Sequence, residues 1–149
     1  MPSAASKGSK NQATFIPTMR ELARAYQAFA SYSDSHVREL GLTPPQFDVV
    51  ATLGNTEGMS MKDLAEATLV TKGTLTGIVD RLEKKGLVRR EVPPENRRSF
   101  TVVLTTEGEA LFQSTFPAHI AHLKPRFEQL TPMELRQLQK LLKKLRSQF

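Results

Sequence analysis

The stretch that decides the fold is residues 60–105, SMKDLAEATLVTKGTLTGIVDRLEKKGLVRREVPPENRRSFTVVLT. Ser60 and Asp63 have the spacing of a capping box, which starts a short helix over SMKDLAEAT. After about three residues Thr71 starts a second helix, TKGTLTGIVDRLEKK, which Gly86 closes. Two helices joined by so short a turn form a helix-turn-helix. LVRREV and SFTVVLT are rich in β-branched residues, and Phe100, Val102 and Leu104 alternate with polar or smaller neighbours. They pair as a hairpin across VPPENRRSF. The expected fold is therefore mainly α with a small β-hairpin wing, a winged helix-turn-helix.

Working outward, Thr18 with Glu21, just after Pro17, predicts the start of a helix. Its apolar positions Leu22, Tyr26, Phe29, Tyr32, Val37 and Leu40 keep a 3.6-residue period up to Gly41. Thr43, Pro44 and Gln46 repeat the capping device in LTPPQFDVVATL, a helix expected to end near Gly54. Beyond the hairpin a helix starts near Thr105 or Thr106, with Pro117 and Pro125 expected to kink or interrupt it. The last helix opens at Thr131, Pro132 and Glu134 and carries an apolar seam of Leu135, Leu138, Leu142, Leu145 and Phe149. The resulting organisation is a flexible polar tail over 1–13, an N-terminal dimerisation helix over 14–41, a winged helix-turn-helix over 42–105 and C-terminal dimerisation helices over 106–149.

With 149 residues the chain is about one domain long, enough to bury a core without disulfides or metal. No apolar run approaches the roughly 20 residues of a membrane-spanning helix, and the opening MPSAASKGSK resembles neither a secretory signal nor a transit peptide. The cytoplasm is the expected compartment. Cysteine is absent, which removes thiol redox sensing and cysteine-ligated zinc. The net charge of +6 favours a polyanionic partner. Between Lys72 and Arg98 lie eight basic residues (Lys72, Arg81, Lys84, Lys85, Arg89, Arg90, Arg97, Arg98) and four acidic ones (Asp80, Glu83, Glu91, Glu95), so the excess is concentrated there.

The second helix of a helix-turn-helix fits the major groove of B-DNA, where polar side chains near its N-terminus reach base edges. Thr71, Lys72, Thr74 and Thr76 occupy that end, and Arg81 is assigned with them as a DNA contact. Leu75, Ile78, Val79 and Leu82 fall on the opposite face. Gly73 and Gly77 admit two readings, close approach of the helix to DNA or close packing inside the protein. The hairpin tip then reaches the neighbouring minor groove, with Pro93 and Pro94 limiting its conformations and Asn96, Arg97 and Arg98 as its contacts.

Residues 42–112 resemble the MarR family of bacterial winged-helix transcription factors. DLAEAT before the turn, TGIVDRLEKKGLV across the recognition helix and first wing strand, and ENRRS with LTTEGEAL after it carry the likeness. The resemblance implies an obligate homodimer built from the terminal helices, pseudo-palindromic double-stranded DNA as partner, and release by a small molecule. Two positions depart from the family pattern. Asn96 stands where an aspartate usually orients the minor-groove arginine, so Arg98 loses charge assistance. Gly77 stands where the family often has arginine on the recognition helix.

The family's effector pocket lies where the dimer helices meet the winged domain, and Tyr26, Phe29, Tyr32, His36, Phe47, Phe112 and Phe116 are the candidates to line it. A flat aromatic or phenolic anion suits aromatic walls with a nearby cation. His119 and His122 share a helical face and, with His36, raise a zinc-responsive regulator as an alternative, but no carboxylate pattern completes a site. No metal residue and no cofactor is assigned. The expected function is a DNA-binding repressor released by an effector. The alternative from another class is a winged-helix protein-interaction module. No catalytic constellation is present, and an enzyme is not expected.

Overall fold

The computed structural model describes residues 3–95 and 99–149, with residues 3–13 as backbone alone. Six helices and three short strands follow in the order α1 (Ser3–Glu39), α2 (Pro44–Leu53), β1 (Met59–Ser60), α3 (Met61–Ala67), α4 (Lys72–Lys84), β2 (Val88–Glu91), β3 (Thr101–Leu104), α5 (Thr106–Phe127) and α6 (Pro132–Arg146). The caps explain most boundaries. Thr43 with Gln46, and Thr131 with Glu134, each close a reciprocal capping box with proline in the first turn. The Ser60 and Thr105 hydroxyls accept from the N–H groups of Asp63 and Gly108. At Thr71 the backbone is that of a cap, but the hydroxyl donates to Thr74 Oγ1 at 2.8 Å.

The winged core is a single apolar cluster. Val49, Val50 and Leu53 from α2 and Leu64 from α3 meet Leu75, Ile78, Val79 and Leu82 from α4, closed by Val88, Val102, Leu104 and Phe112. Gly54 ends α2 beneath Phe112; a Cβ there would fall 2.2 Å from the ring. The sheet order is β1-β3-β2, all antiparallel, so the wing is a hairpin with an added two-residue edge strand. That strand changes the burial of β3. Val103, expected on the polar side of the alternation, is buried because Gly58, at φ +112°, brings the loop before β1 onto it.

Two helix expectations are corrected. Helix α1 does not start at Thr18: it begins at Ser3, so the segment expected as a tail contributes its first turns, and it runs through Pro17. The Thr18 hydroxyl turns back to the Thr14 carbonyl (3.3 Å) and Glu21 pairs with Arg24 (3.7 Å), so neither group caps. Helix α5 is continuous through Pro117 and Pro125. Tertiary contacts of Phe112, Thr115 and His119, all buried, hold it on both sides of the missing N–H of Pro117.

The long helices cross through a histidine cluster. His36 Nδ1 and His119 Nδ1 are 2.9 Å apart, and Ser33 Oγ lies 3.0 Å from His119 Nε2. The His36 ring stacks on His122 at 3.9 Å, and Tyr32 also stacks on His122, at 4.6 Å, while its hydroxyl donates to the His122 carbonyl. Phe47 of α2 meets His119 edge-on, which ties the crossing to the winged domain. One of the facing Nδ1 atoms must donate and the other accept, so the contact survives only while at least one ring is neutral. Burial, and then the neighbouring His36 and His122, push His119 below the ordinary imidazole value of 6.5, against an opposing pull from Asp34.

A folded pKa below the unfolded value means that unfolding takes up a proton, so this contribution is complete above pH 6.5 and is lost as pH falls below it. We expect the thermal midpoint to drop as pH falls below 6.5. His119→Gln should flatten that part of the profile. Identical pH profiles for the two proteins would refute the assignment.

Candidate nucleic-acid interface

Helix α4 is strongly two-faced. Leu75, Ile78, Val79 and Leu82 are at most 4% exposed, whereas Lys72, Thr74, Thr76 and Arg81 face solvent. The buried face is docked on α2, α3 and β2, so the polar face is presented on a fixed support. The preceding turn is fastened as well: the Leu69 N–H donates to Asp48 Oδ2 of α2 at 2.7 Å, and the Thr68 hydroxyl donates to the Leu64 carbonyl.

The glycine question is resolved by geometry. A Cβ at Gly73 or Gly77 would meet nothing within 4 Å. Neither glycine serves packing inside the chain. Both lie on the solvent face with the candidate base-reading threonines, one turn apart, and leave the helix backbone open to approach.

The local charge is less uniform than the sequence suggests. Arg89 pairs with Glu91 along β2, and Arg90 reaches Asp80 and Glu83 on α4. Lys85 Nζ donates to the buried Gln46 at 3.4 Å. Lys72, Arg81 and Lys84 remain exposed on α4. Asn96, Arg97 and Arg98, the predicted wing contacts, lie outside the described residues.

The residues predicted to line an effector pocket separate into three groups. Phe112 and Phe116 stack on each other, with Phe112 in the winged core. His36 and Phe47 belong to the histidine crossing. Phe29 and Tyr32 line an open apolar cavity of about 320 Å³ between α1, α5 and α6, with Arg126, Phe127, Leu130 and Leu138. Tyr26 is exposed and outside it. Arg126, which sequence reading missed, holds its guanidinium 4.5 Å over the Tyr32 ring. No local pattern marks it, because its partner is on another helix. Among the described residues no group of three or more ligating side chains is arranged to hold a metal ion.

A supported helix with an open polar face, a fastened turn before it and a β-hairpin behind it define a winged helix-turn-helix DNA-binding protein. The MarR family profile matches residues 42–100. The chain belongs to the MarR family of transcriptional regulators. It is 30% identical to the HTH-type transcriptional regulator YkoM of Bacillus subtilis, over 84% of this chain and 81% of that one. It is 28% identical to MhqR of the same organism, over 83% and 86%. Among solved structures, AbsC, a MarR family regulator from Streptomyces coelicolor, superposes with a TM-score of 0.83 at 30% identity, covering 91% of this chain and 93% of that one. Sco3205, from the same organism and in complex with DNA, gives 0.81 at 26% identity over 89% and 86%. Bordetella bronchiseptica BpsR, whose DNA binding is regulated by 6-hydroxynicotinic acid, gives 0.75 at 29% identity over 85% and 90%.

Gly77→Ala should act oppositely on stability and binding. Alanine raises helix propensity and meets no neighbour, so the fold should gain up to about 1 kcal/mol in urea denaturation. Affinity for operator DNA should fall. A variant that is stabilised and binds unchanged would show that this face does not approach the duplex closely.

Proposed function

We propose that two copies of this chain grip a pseudo-palindromic operator, repress transcription there and are released by a small aromatic effector. The observation that carries the DNA reading is the open face of α4, with Lys72, Thr74, Thr76 and Arg81 exposed and bare glycine backbone between them. Thr71 donates to the Thr74 hydroxyl, whose own proton stays available to a base edge. Each recognition helix enters a major groove, and Arg97 and Arg98 contact the adjacent backbone and minor groove.

Dimerisation is supported by apolar surface left uncovered on the terminal helices. Helix α6 has no buried residue, and Met133, Leu138, Leu141, Leu142 and Leu145 are all exposed. Phe15, Met19, Leu22, Tyr26 and Phe29 add a second exposed set on α1. Apolar surface of this extent is a mark of association. An aromatic anion fits the cavity beside Arg126, where Phe29 and Tyr32 supply flat walls and the guanidinium a charge. An effector that prefers a dimer geometry with misplaced recognition helices shifts the population away from DNA. Such a regulator works in the compartment of the genome, the bacterial cytoplasm.

The test is selection of bound fragments from genomic DNA, followed by titration of the selected duplex against a scrambled one. A dimer that neutralises about 6 to 10 phosphates should lose about 10³- to 10⁵-fold in affinity between 50 and 200 mM salt. Thr74→Ala should alter base preference at one position by about 1–3 kcal/mol, and Arg98→Ala should weaken binding most at A·T-rich flanks. Equal binding of scrambled and selected duplex would favour a protein-interaction module instead.

A further inference from the structure

Arg90 connects α4, β2 and the residue before β3 through its charge. From β2 its Nη1 donates to Glu83 Oε1 at 2.7 Å and its Nη2 to Asp80 Oδ1 at 2.5 Å, both on α4. Its guanidinium carbon stands 5.3 Å from the centre of the Phe100 ring, next to β3. The side chain is only 24% exposed. Arg89, its neighbour, is 56% exposed and bonds only to Glu91 in its own strand. Two adjacent arginines therefore do different work.

We infer that Arg90 is a positioning residue for DNA recognition, which fixes the wing against the recognition helix and makes no nucleic-acid contact itself. The chemistry of the cluster supports this. Each Nη is already engaged by a carboxylate, one face of the plane lies on an aromatic ring, and the three charged groups together are formally negative. A phosphate is repelled from such a site. A planar fork can hold two carboxylates of one helix at a set angle, whereas a lysine ammonium is a single point charge on a flexible stem. Asp80 and Glu83, three residues apart, share the face of α4 that meets the wing. A shift at this root changes where the hairpin tip stands relative to the groove that α4 occupies.

This inference rests on the proposal that α4 and the wing bind DNA, and the experiment separates the two. Operator binding is titrated across a salt series for the wild-type chain, Arg90→Ala, Arg90→Lys, Arg98→Ala, the pair Arg90→Ala with Arg98→Ala, and the pair Asp80→Asn with Glu83→Gln. Thermal melting of each variant reports folding. Arg90→Ala should weaken operator binding by about tenfold or more, the scale of one mismatched base pair, and lysine should not rescue it. The salt slope should stay that of the wild type, whereas loss of a phosphate contact lowers it by about 1. The effect of Arg98→Ala should shrink in the Arg90→Ala background.

The acidic pair gives the sharpest result. Asp80→Asn with Glu83→Gln removes two negative charges, which by general electrostatics strengthens DNA binding. The inference requires that it weaken it, in a folded protein. Tighter binding by that variant, full rescue by lysine, or additive losses for Arg90→Ala and Arg98→Ala would overturn the positioning role. If Arg98→Ala leaves the wild-type affinity unchanged at every operator, the wing reading itself is overturned, and this inference with it.

Discussion

The open polar face of α4 is held in place by the burial of the opposite face. That helix has 13 residues and two glycines, and alone in water it would be marginal. The glycines cost about 1 kcal/mol each relative to alanine. Burial of Leu75, Ile78, Val79 and Leu82 returns about 1.5–3 kcal/mol per side chain, more than enough to offset them. The helix therefore tolerates a bare, weakly helical outer face because its inner face is held by the rest of the domain. Stability rests on one side of the rod, and the face proposed for recognition is the other.

What was legible in the sequence was local. The capping boxes at Thr43 and Thr131, the two-faced pattern of α4 and the turn at Gly86 depend on residues within a few positions of one another, and these features appear as expected. The rest depends on distance along the chain. A two-residue strand at Met59–Ser60 is too short to show a period and forms only because β3 supplies its partner. Pro117 reads as a breaker, yet contacts on both sides keep α5 intact. The apparent cap at Thr18 fails because helical turns precede it. His36 and His119 are 83 positions apart, so nothing local announces their contact. For the candidate interface, the polar face of α4 could be read from periodicity, but the diversion of Arg89 and Arg90 into ion pairs could not.

That diversion revises how the basic charge of this region should be understood. Three of the four acids between Lys72 and Arg98 are engaged by Arg89 and Arg90. Among the described residues of this stretch, the cations left exposed on α4 are Lys72, Arg81 and Lys84. Charge counts alone would have treated all eight cations as equivalent. Among the described ones, Lys72, Arg81 and Lys84 face outward, whereas Arg90 braces α4 against β2.

The start of α5 is joined unusually closely to the winged domain. Thr105 bonds through its N–H to the Leu87 carbonyl at 3.0 Å and through its hydroxyl to the Gly86 carbonyl, and a Cβ on Gly108 would come within 2.0 Å of Leu87 O. The helix thus works as a handle welded to the head. Its 22 residues span roughly 33 Å, so a tilt of about 10° sweeps one end past the other by roughly 6 Å, half the width of a major groove. Modest leverage near Arg126 is geometrically sufficient to throw the far end out of register with a duplex.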